Sequence, residues 1–321
     1  MKPNTTSLRF SVVLPLALVT VFAAAAAAQQ TPAAEGVPVR ITVTAASRQK
    51  GEQPPALTKS DFLIYQDHDR RPVLEAVRQS GADNKLDLYI VVDDSVTSDV
   101  TLDYTDVKSF VRELPASARV SVGYALNGTV TFVQEPTGDR EAVLKKLRIP
   151  LGRIGAGGGI YLSLADVAKR LPESPDRRRA ILFLSSGIDI YRGIDETYPG
   201  LNPDLDVAIK ALNRGGISVY SIYVSPAAHF LRNLFLISNG QSCLSRLADD
   251  TGGEAYFQGF NTPISMKPFL EEMAHHLDNQ YVVIFAAKPG KKSGFSNLRV
   301  ATELSGVDLA GPDRVYVPVQ K

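Results

Sequence analysis

Leu88-Tyr89-Ile90-Val91-Val92-Asp93-Asp94-Ser95-Val96-Thr97-Ser98 is the stretch that decides the fold. A continuous apolar run ends abruptly in an Asp-x-Ser-x-Thr cluster. Such a run reads as a strand buried on both faces, as in a parallel sheet. One carboxylate and two hydroxyls, from Asp93, Ser95 and Thr97, then share the loop at its carboxyl end. An all-oxygen set suits a hard cation such as Mg²⁺ or Mn²⁺, which accepts carboxylate and hydroxyl ligands and retains water. The carboxyl edge of a parallel sheet is also where open α/β folds place their ligands.

From Leu86 to about Gln280, strands and helices alternate. That pattern indicates an α/β fold with a doubly wound, mostly parallel sheet. After Leu86–Val92, the residues Val107, Phe110, Val111 and Leu114 have helical spacing and stop at Pro115. Arg119–Leu126 and Val130–Val133 read as strands joined by Asn127-Gly128, a hairpin signal. Ala142, Val143 and Leu147 mark a helix, and the glycine loop Gly155–Gly159 opens another. Ala180–Leu184 and Ile217–Val224 are strands on either side of a helix over Asp204–Asn213. Leu244–Asp250 reads as a helix, Glu254–Phe257 as a short strand and Phe269–Leu277 as the last helix.

Both flanks have β character. Val37, Val39, Ile41 and Val43 alternate with small or polar residues, the pattern of a strand with one buried face. Leu63–Tyr65 and Val73–Val77 are further strands about a polar turn, Gln66–Arg70. Tyr281–Phe285, Leu298–Ala301 and Val315–Val319 close the chain, with Lys288–Ser293 as an exposed hairpin tip. The expected organisation is a leader at 1–28, a linker at 29–36, a small β module at 37–80, the α/β domain at 84–280 and a C-terminal β segment at 281–321. The last segment is expected to pack with 37–80.

Lys2 and Arg9 precede an apolar run that ends in the alanine tract Ala23–Ala28. This reads as a secretory signal peptide cleaved after Ala28, so the protein is expected to be exported, periplasmic or secreted. An uncleaved anchor is the alternative, because the run is nearly long enough to span a bilayer. No other segment reads as a membrane span. The formal net charge of the 321-residue chain is +1, which argues against nucleic acid or an anionic membrane as partner. Cys243 is the only cysteine. That excludes an internal disulfide and a structural Cys-based zinc site, and Cys243 is expected to be a small buried residue.

The α/β unit resembles a von Willebrand factor A-type (VWFA) domain, and the chain from about 37 to 318 is similar to the exported, acidobacterial-type group of VWFA-related proteins. Three stretches carry the resemblance. They are Leu57-Thr58-Lys59-Ser60-Asp61-Phe62-Leu63-Ile64-Tyr65-Gln66-Asp67, the Asp93 cluster, and Leu247-Ala248-Asp249-Asp250-Thr251-Gly252-Gly253-Glu254-Ala255-Tyr256-Phe257 with Leu277-Asp278-Asn279-Gln280-Tyr281. The resemblance implies a metal-ion-dependent adhesion site built from three loops. Asp93, Ser95 and Thr97 match the first. The second should supply a threonine at a helix start, where Gly159 stands. The third should supply an aspartate, where Ser186 stands. The expected site is therefore degenerate, with Mg or Mn as the cofactor candidates. Asp189, three residues beyond Ser186, is the candidate substitute, whereas Asp94 is expected to point away. Locally, Ser95 and Thr97 also suit a helix cap.

Other constellations are weaker. Gly155–Gly159 does not fit G-x-G-x-x-G or a P-loop, and Ser185-Ser186-Gly187 is not a nucleophile elbow. Adjacent His275 and His276 on a helix do not form a chelating pair, and His68 and His229 fall in loops. The apolar segment His229–Ile237, with its insertion Phe230–Ile237, reads either as a flap that touches a partner or membrane or as a short helix packed on its own domain. The function read from the sequence is that of an exported, non-enzymatic adhesion-type domain that binds an unidentified protein partner, with no nucleic acid involved. A working Mg²⁺ site that takes an acidic side chain of the partner is the alternative. A secreted serine hydrolase using Ser95 or Ser186 is the remote one.

Overall fold

The structure, a computed structural model, describes residues 36–49, 51–80, 84–97, 104–152, 158–172, 174, 176–227 and 233–319. The expected leader and most of the linker, Ser98, Gly155–Gly157 and His229–Arg232 lie outside them. No helix among the described residues is long and apolar enough to cross a membrane.

The N-terminal flank holds β1 (Val37–Ser47), β2 (Leu63–Gln66), β3 (Asp69–Arg71) and β4 (Val73–Arg78). The α/β segment runs β5 (Leu86–Asp93), α1 (Thr105–Glu113), β6 (Arg119–Leu126), β7 (Thr129–Thr137), α2 (Arg140–Leu144), α3 (Ile160–Arg170), β8 (Arg178–Ser185), α4 (Pro203–Gly215), β9 (Ile217–Tyr223), α5 (Leu234–Thr251), β10 (Glu254–Tyr256) and α6 (Lys267–Asp278). Strands β11 (Gln280–Ala287), β12 (Gly294–Ala301), β13 (Val307–Ala310) and β14 (Arg314–Val317) follow.

Six strands form the central sheet in the order β10-β9-β8-β5-β6-β7. All neighbours are parallel except β7, which pairs antiparallel with β6. This is the doubly wound sheet expected from the sequence. The order reverses between β5 and β8, so the crevice at their carboxyl ends is the switch point where such folds bind ligands. Strand β5 is buried at every position because β6 and β8 flank it and helices cover both faces. Leu88, Ile90 and Val92 join the cluster with α1 and α6. Tyr89 and Val91 join the cluster with α3, α4 and α5. The β6–β7 turn uses Asn127 and Gly128, both at positive φ, as a two-residue hairpin turn requires.

Each of two four-stranded sheets mixes strands from both ends of the chain, in the orders β13-β1-β11-β4 and β14-β12-β2-β3. They share one apolar cluster that includes Val43, Phe62, Ile64, Phe285 and Val315. Residues 34–321 form one unit. Arg178, at the start of β8, ties this layer to the central sheet. Its buried guanidinium donates to the Leu277 carbonyl at 2.8 Å and to Gln280 Oε1 and Asn84 Oδ1. Burial lowers its pKa to about 10.

Three expectations are corrected, and the insertion follows from the first. Helix α5 begins at Leu234, ten residues before the expected Leu244, because its first turns carry Ser238, Asn239 and Gly240, which break the apolar period. The described part of the insertion, 233–237, is thus the Asn233 cap and first turn of that helix, with Leu236 and Ile237 buried. Residues 288–293 are not a hairpin tip, since β11 and β12 lie in different sheets. The turn expected over 66–70 is confined to Asp67-His68, and β3 pairs with β2 through Asp69–Arg71. Strand β13 was not legible at all.

The loop before β14 meets the end of α5. There the Asp313 N–H donates to the Asp250 carbonyl at 3.2 Å. Burial, then the hydrogen bond and charge of Asp250, push the Asp313 carboxyl up to about 6. A folded-state pKa above the unfolded one gives stability that is present in acid and lost as pH rises through it. Asp313→Asn is expected to raise the thermal midpoint at pH 8 and leave it nearly unchanged at pH 4. An equal shift at both pH values would contradict this.

Candidate functional site

The site lies at the carboxyl edge of the sheet, where loops from five strands converge. Asp93 ends β5 and is fully buried. Its Oδ1 accepts from the Ser95 N–H at 3.0 Å and the Ser95 hydroxyl at 2.6 Å. Its Oδ2 accepts from the Ser185 hydroxyl at 2.7 Å. Burial pushes the Asp93 carboxyl up, the serine hydrogen bonds oppose that, and the charge of Asp189 adds to it.

Asp94 turns to the other side of the strand. Its carboxylate takes both nitrogens of the Arg148 fork, at 2.7 and 2.9 Å, and the Leu151 N–H at 2.9 Å. Arg148 in turn lies over the Tyr124 ring, 3.7 Å from its centroid. Beside this pair the buried Tyr104 hydroxyl has no hydrogen-bond partner among the described residues.

Asp189 faces the start of α3. Its Oδ1 accepts from the N–H groups of Gly159 at 2.9 Å and Tyr191 at 3.0 Å, and its Oδ2 from Tyr161 N–H at 3.5 Å. It thereby caps α3, whose N-cap Gly159 is left-handed with φ 76°. An anionic group at a helix N-terminus is favourable. Burial still pushes its carboxyl up, against those backbone bonds. A side chain at Gly159 would come within 2.9 Å of the Gly128 nitrogen. A threonine there is therefore excluded by both conformation and space.

The remaining loops are tied to one another. Thr97 N–H donates to the Ser225 carbonyl at 3.0 Å. Ser225 and Thr262 exchange backbone-to-hydroxyl bonds at 2.9 and 2.7 Å. Ser186 Oγ accepts from Ile188 N–H at 3.3 Å. Cys243 is buried beside this region, with Sγ 3.2 Å from the Thr197 carbonyl, and burial pushes its thiol up to about 12.

The structure thus brings Asp93, Ser95 and Ser185 together and sets Asp189 at the glycine loop. Ser186 does not face Asp93 as a hydrogen-bond partner, whereas Ser185 does. Sequence reasoning missed Ser185, although period 2 along β8 would have separated the two. As a cation site the donor set fits poorly. Among the described residues at the positions expected to supply ligands, Gly159 has no donor side chain and Ser186 offers a hydroxyl in place of a carboxylate, and the Asp189 oxygens accept from backbone N–H groups. Among the described residues no three His, Cys, Asp or Glu side chains are grouped to hold a metal.

The strand order, with β5 first and central and the Asp-x-Ser-x-Thr loop at the switch point, makes the α/β segment a doubly wound, Rossmann-like sheet, as the resemblance to a von Willebrand A-type domain implies. No protein-family model matches the sequence, and no curated protein matches it. Among solved structures, the chain is similar to an aerotolerance-related membrane protein from Bacteroides fragilis, at 11% identity and TM-score 0.42, over 60% of this chain and 98% of that one. It is similar to BatB from Bacteroides thetaiotaomicron, at 12% identity and TM-score 0.39, over 60% and 98%. It is also similar to the SpRpn10 VWA domain, at 12% identity and TM-score 0.35, over 60% and 96%.

Ser185→Ala removes the hydroxyl on Asp93 Oδ2. The buried carboxylate is left short of one donor, at a cost of about 1–3 kcal/mol. The bond favours the ionised form, so its loss raises the Asp93 pKa further. The cost should be larger at pH 8 than at pH 5, read as urea midpoints at the two pH values. A cost independent of pH would show that Ser185 does not serve the Asp93 charge.

Proposed function

We propose that this is an exported, non-enzymatic protein-binding domain whose contact surface is the carboxyl rim of the sheet. Binding needs no cation in this reading. One observation carries it. The described parts of the rim loops are tied to one another by hydrogen bonds, while large apolar side chains stand exposed on them. Tyr191 and Ile194 follow β8, Leu234 and Phe235 begin α5 after β9, and Phe260 follows β10. Tyr191 rests against Gly158 of the glycine loop, whose added Cβ would lie 3.2 Å from it. Exposed aromatic and aliphatic side chains grouped on one edge are what a protein partner buries.

The cation-dependent reading retains one observation in its favour. The Asp189 charge is felt at Asp93, and a cation on Asp93, Ser95 and Thr97 would offset it. In that case Asp93, Ser95 and Thr97 would hold Mg²⁺ or Mn²⁺, which would supply a coordination position for an acidic group of the partner. The hydrolase reading has little support. Ser95 donates to Asp93 rather than to a base. Of the described histidines, His276 lies 3.4 Å from Glu254, and His275 contacts Gln53 and Asn279.

The test is capture from an envelope fraction by wild-type protein, by Tyr191→Ser/Phe235→Ser and by a control, Lys291→Ala/Lys292→Ala, each with and without EDTA. A partner retained by wild type and control, lost by the rim variant and indifferent to EDTA is the expected result. Loss on EDTA would favour the cation-dependent reading. Retention by the rim variant would remove the rim as the surface.

A further inference from the structure

A cleft of about 630 Å³ opens at the opposite edge of the central sheet, between it and the flanking β strands. Seven basic residues line it. Arg40 comes from β1, Lys169 from α3, Arg177 from the turn before β8, Arg178 and Arg179 from β8, and Lys210 and Arg214 from α4. No acidic residue is among its described lining residues.

Part of this charge has local employment. Arg177 pairs with the buried Asp87 at 2.6 Å, and Arg178 serves the network already described. Lys169 and Arg214 stand in the last turns of their helices, where cations complement the helix dipole. That account does not extend to Arg40, which stands on a strand. Its Nη1 reaches only backbone carbonyls, of Ser174 at 3.4 Å and Arg177 at 3.5 Å. Burial lowers its pKa first and the neighbouring Arg179 charge lowers it further, with Asp176 acting in the opposite sense. Arg214 stacks on the Tyr316 ring at 4.4 Å. Arg40, Lys169, Lys210 and Arg214 have no carboxylate partner among the described residues. The buried Nε of Arg178 has no hydrogen-bond partner among them either.

We propose that this cleft binds a compact polyanion carrying two or more phosphate groups. Like charges converging without compensation cost free energy that a multivalent anion recovers. Arginine forks match the oxygens of phosphate. A phosphate group carries up to about two charges, so two such groups balance the four cations that lack a carboxylate partner among the described residues, within the volume of a small-ligand pocket. Carboxylates would need four groups for the same charge. The site is independent of the carboxyl rim.

Calorimetric titration of tripolyphosphate in metal-free, low-salt buffer tests this, with citrate as the carboxylate probe. Wild type should bind tripolyphosphate saturably and more tightly than citrate. The variant Lys169→Ala/Lys210→Ala changes two exposed side chains and should fold as wild type, which its thermal midpoint checks. It should weaken binding by roughly ten-fold or more, as loss of two charge-assisted contacts implies. Lys291→Ala/Lys292→Ala, with the same charge change outside the cleft lining, should bind as wild type. No saturable heat in wild type, equal affinity for citrate, or equal weakening in both variants would overturn the proposal.

Discussion

The buried Asp93 carboxylate is the constraint on which the carboxyl edge of this protein is built. It ends a strand with no exposed position. An ionised carboxyl in such a place is costly unless donors surround it. The two donor hydroxyls come from different strands, Ser95 just beyond β5 and Ser185 at the end of β8. Satisfying Asp93 therefore locks the two central strands together at their carboxyl ends. The other end of β5 follows the same logic. Asp87 is buried there and takes Arg119 and Arg177.

These two ends give the molecule two different faces. At the carboxyl end, each aspartate is met by hydroxyls, backbone N–H groups or one arginine, and the loops carry apolar side chains outward. At the amino end, arginines and lysines from β1, α3, β8 and α4 face one cleft. The two edges of the sheet thus differ in charge, and each carries one of the two proposed binding surfaces. Both follow from residues at strand ends, where a doubly wound sheet leaves room for function.

Much of this was legible in the sequence. The apolar runs at Leu88–Val92 and Ala180–Leu184 are long enough to specify central strands, and Asn127-Gly128 specifies its hairpin. The Asp93 cluster located the edge correctly. What escaped had a physical reason in each case. Polar residues at 238–242 hid the first half of α5, because Asn239 and Gln241 are buried by specific bonds to Thr197 and Gly259 rather than by apolar contact. Strand β13 is only four residues long, and it forms by pairing with β1. Ser185 was missed because the expected ligand was placed at Ser186, one residue on, although the alternation along β8 separates the two. The basic cleft gathers residues from 40 to 214, so no local motif contains it.

In the proposed reading the Ser95 and Ser185 hydroxyls satisfy Asp93 without a cation. Titration of Mg²⁺ and of Mn²⁺ into the metal-free protein, followed by calorimetry, tests it directly. No saturable heat at millimolar cation is the expected result. Saturable uptake by wild type that Ser95→Ala/Thr97→Ala abolishes would contradict it.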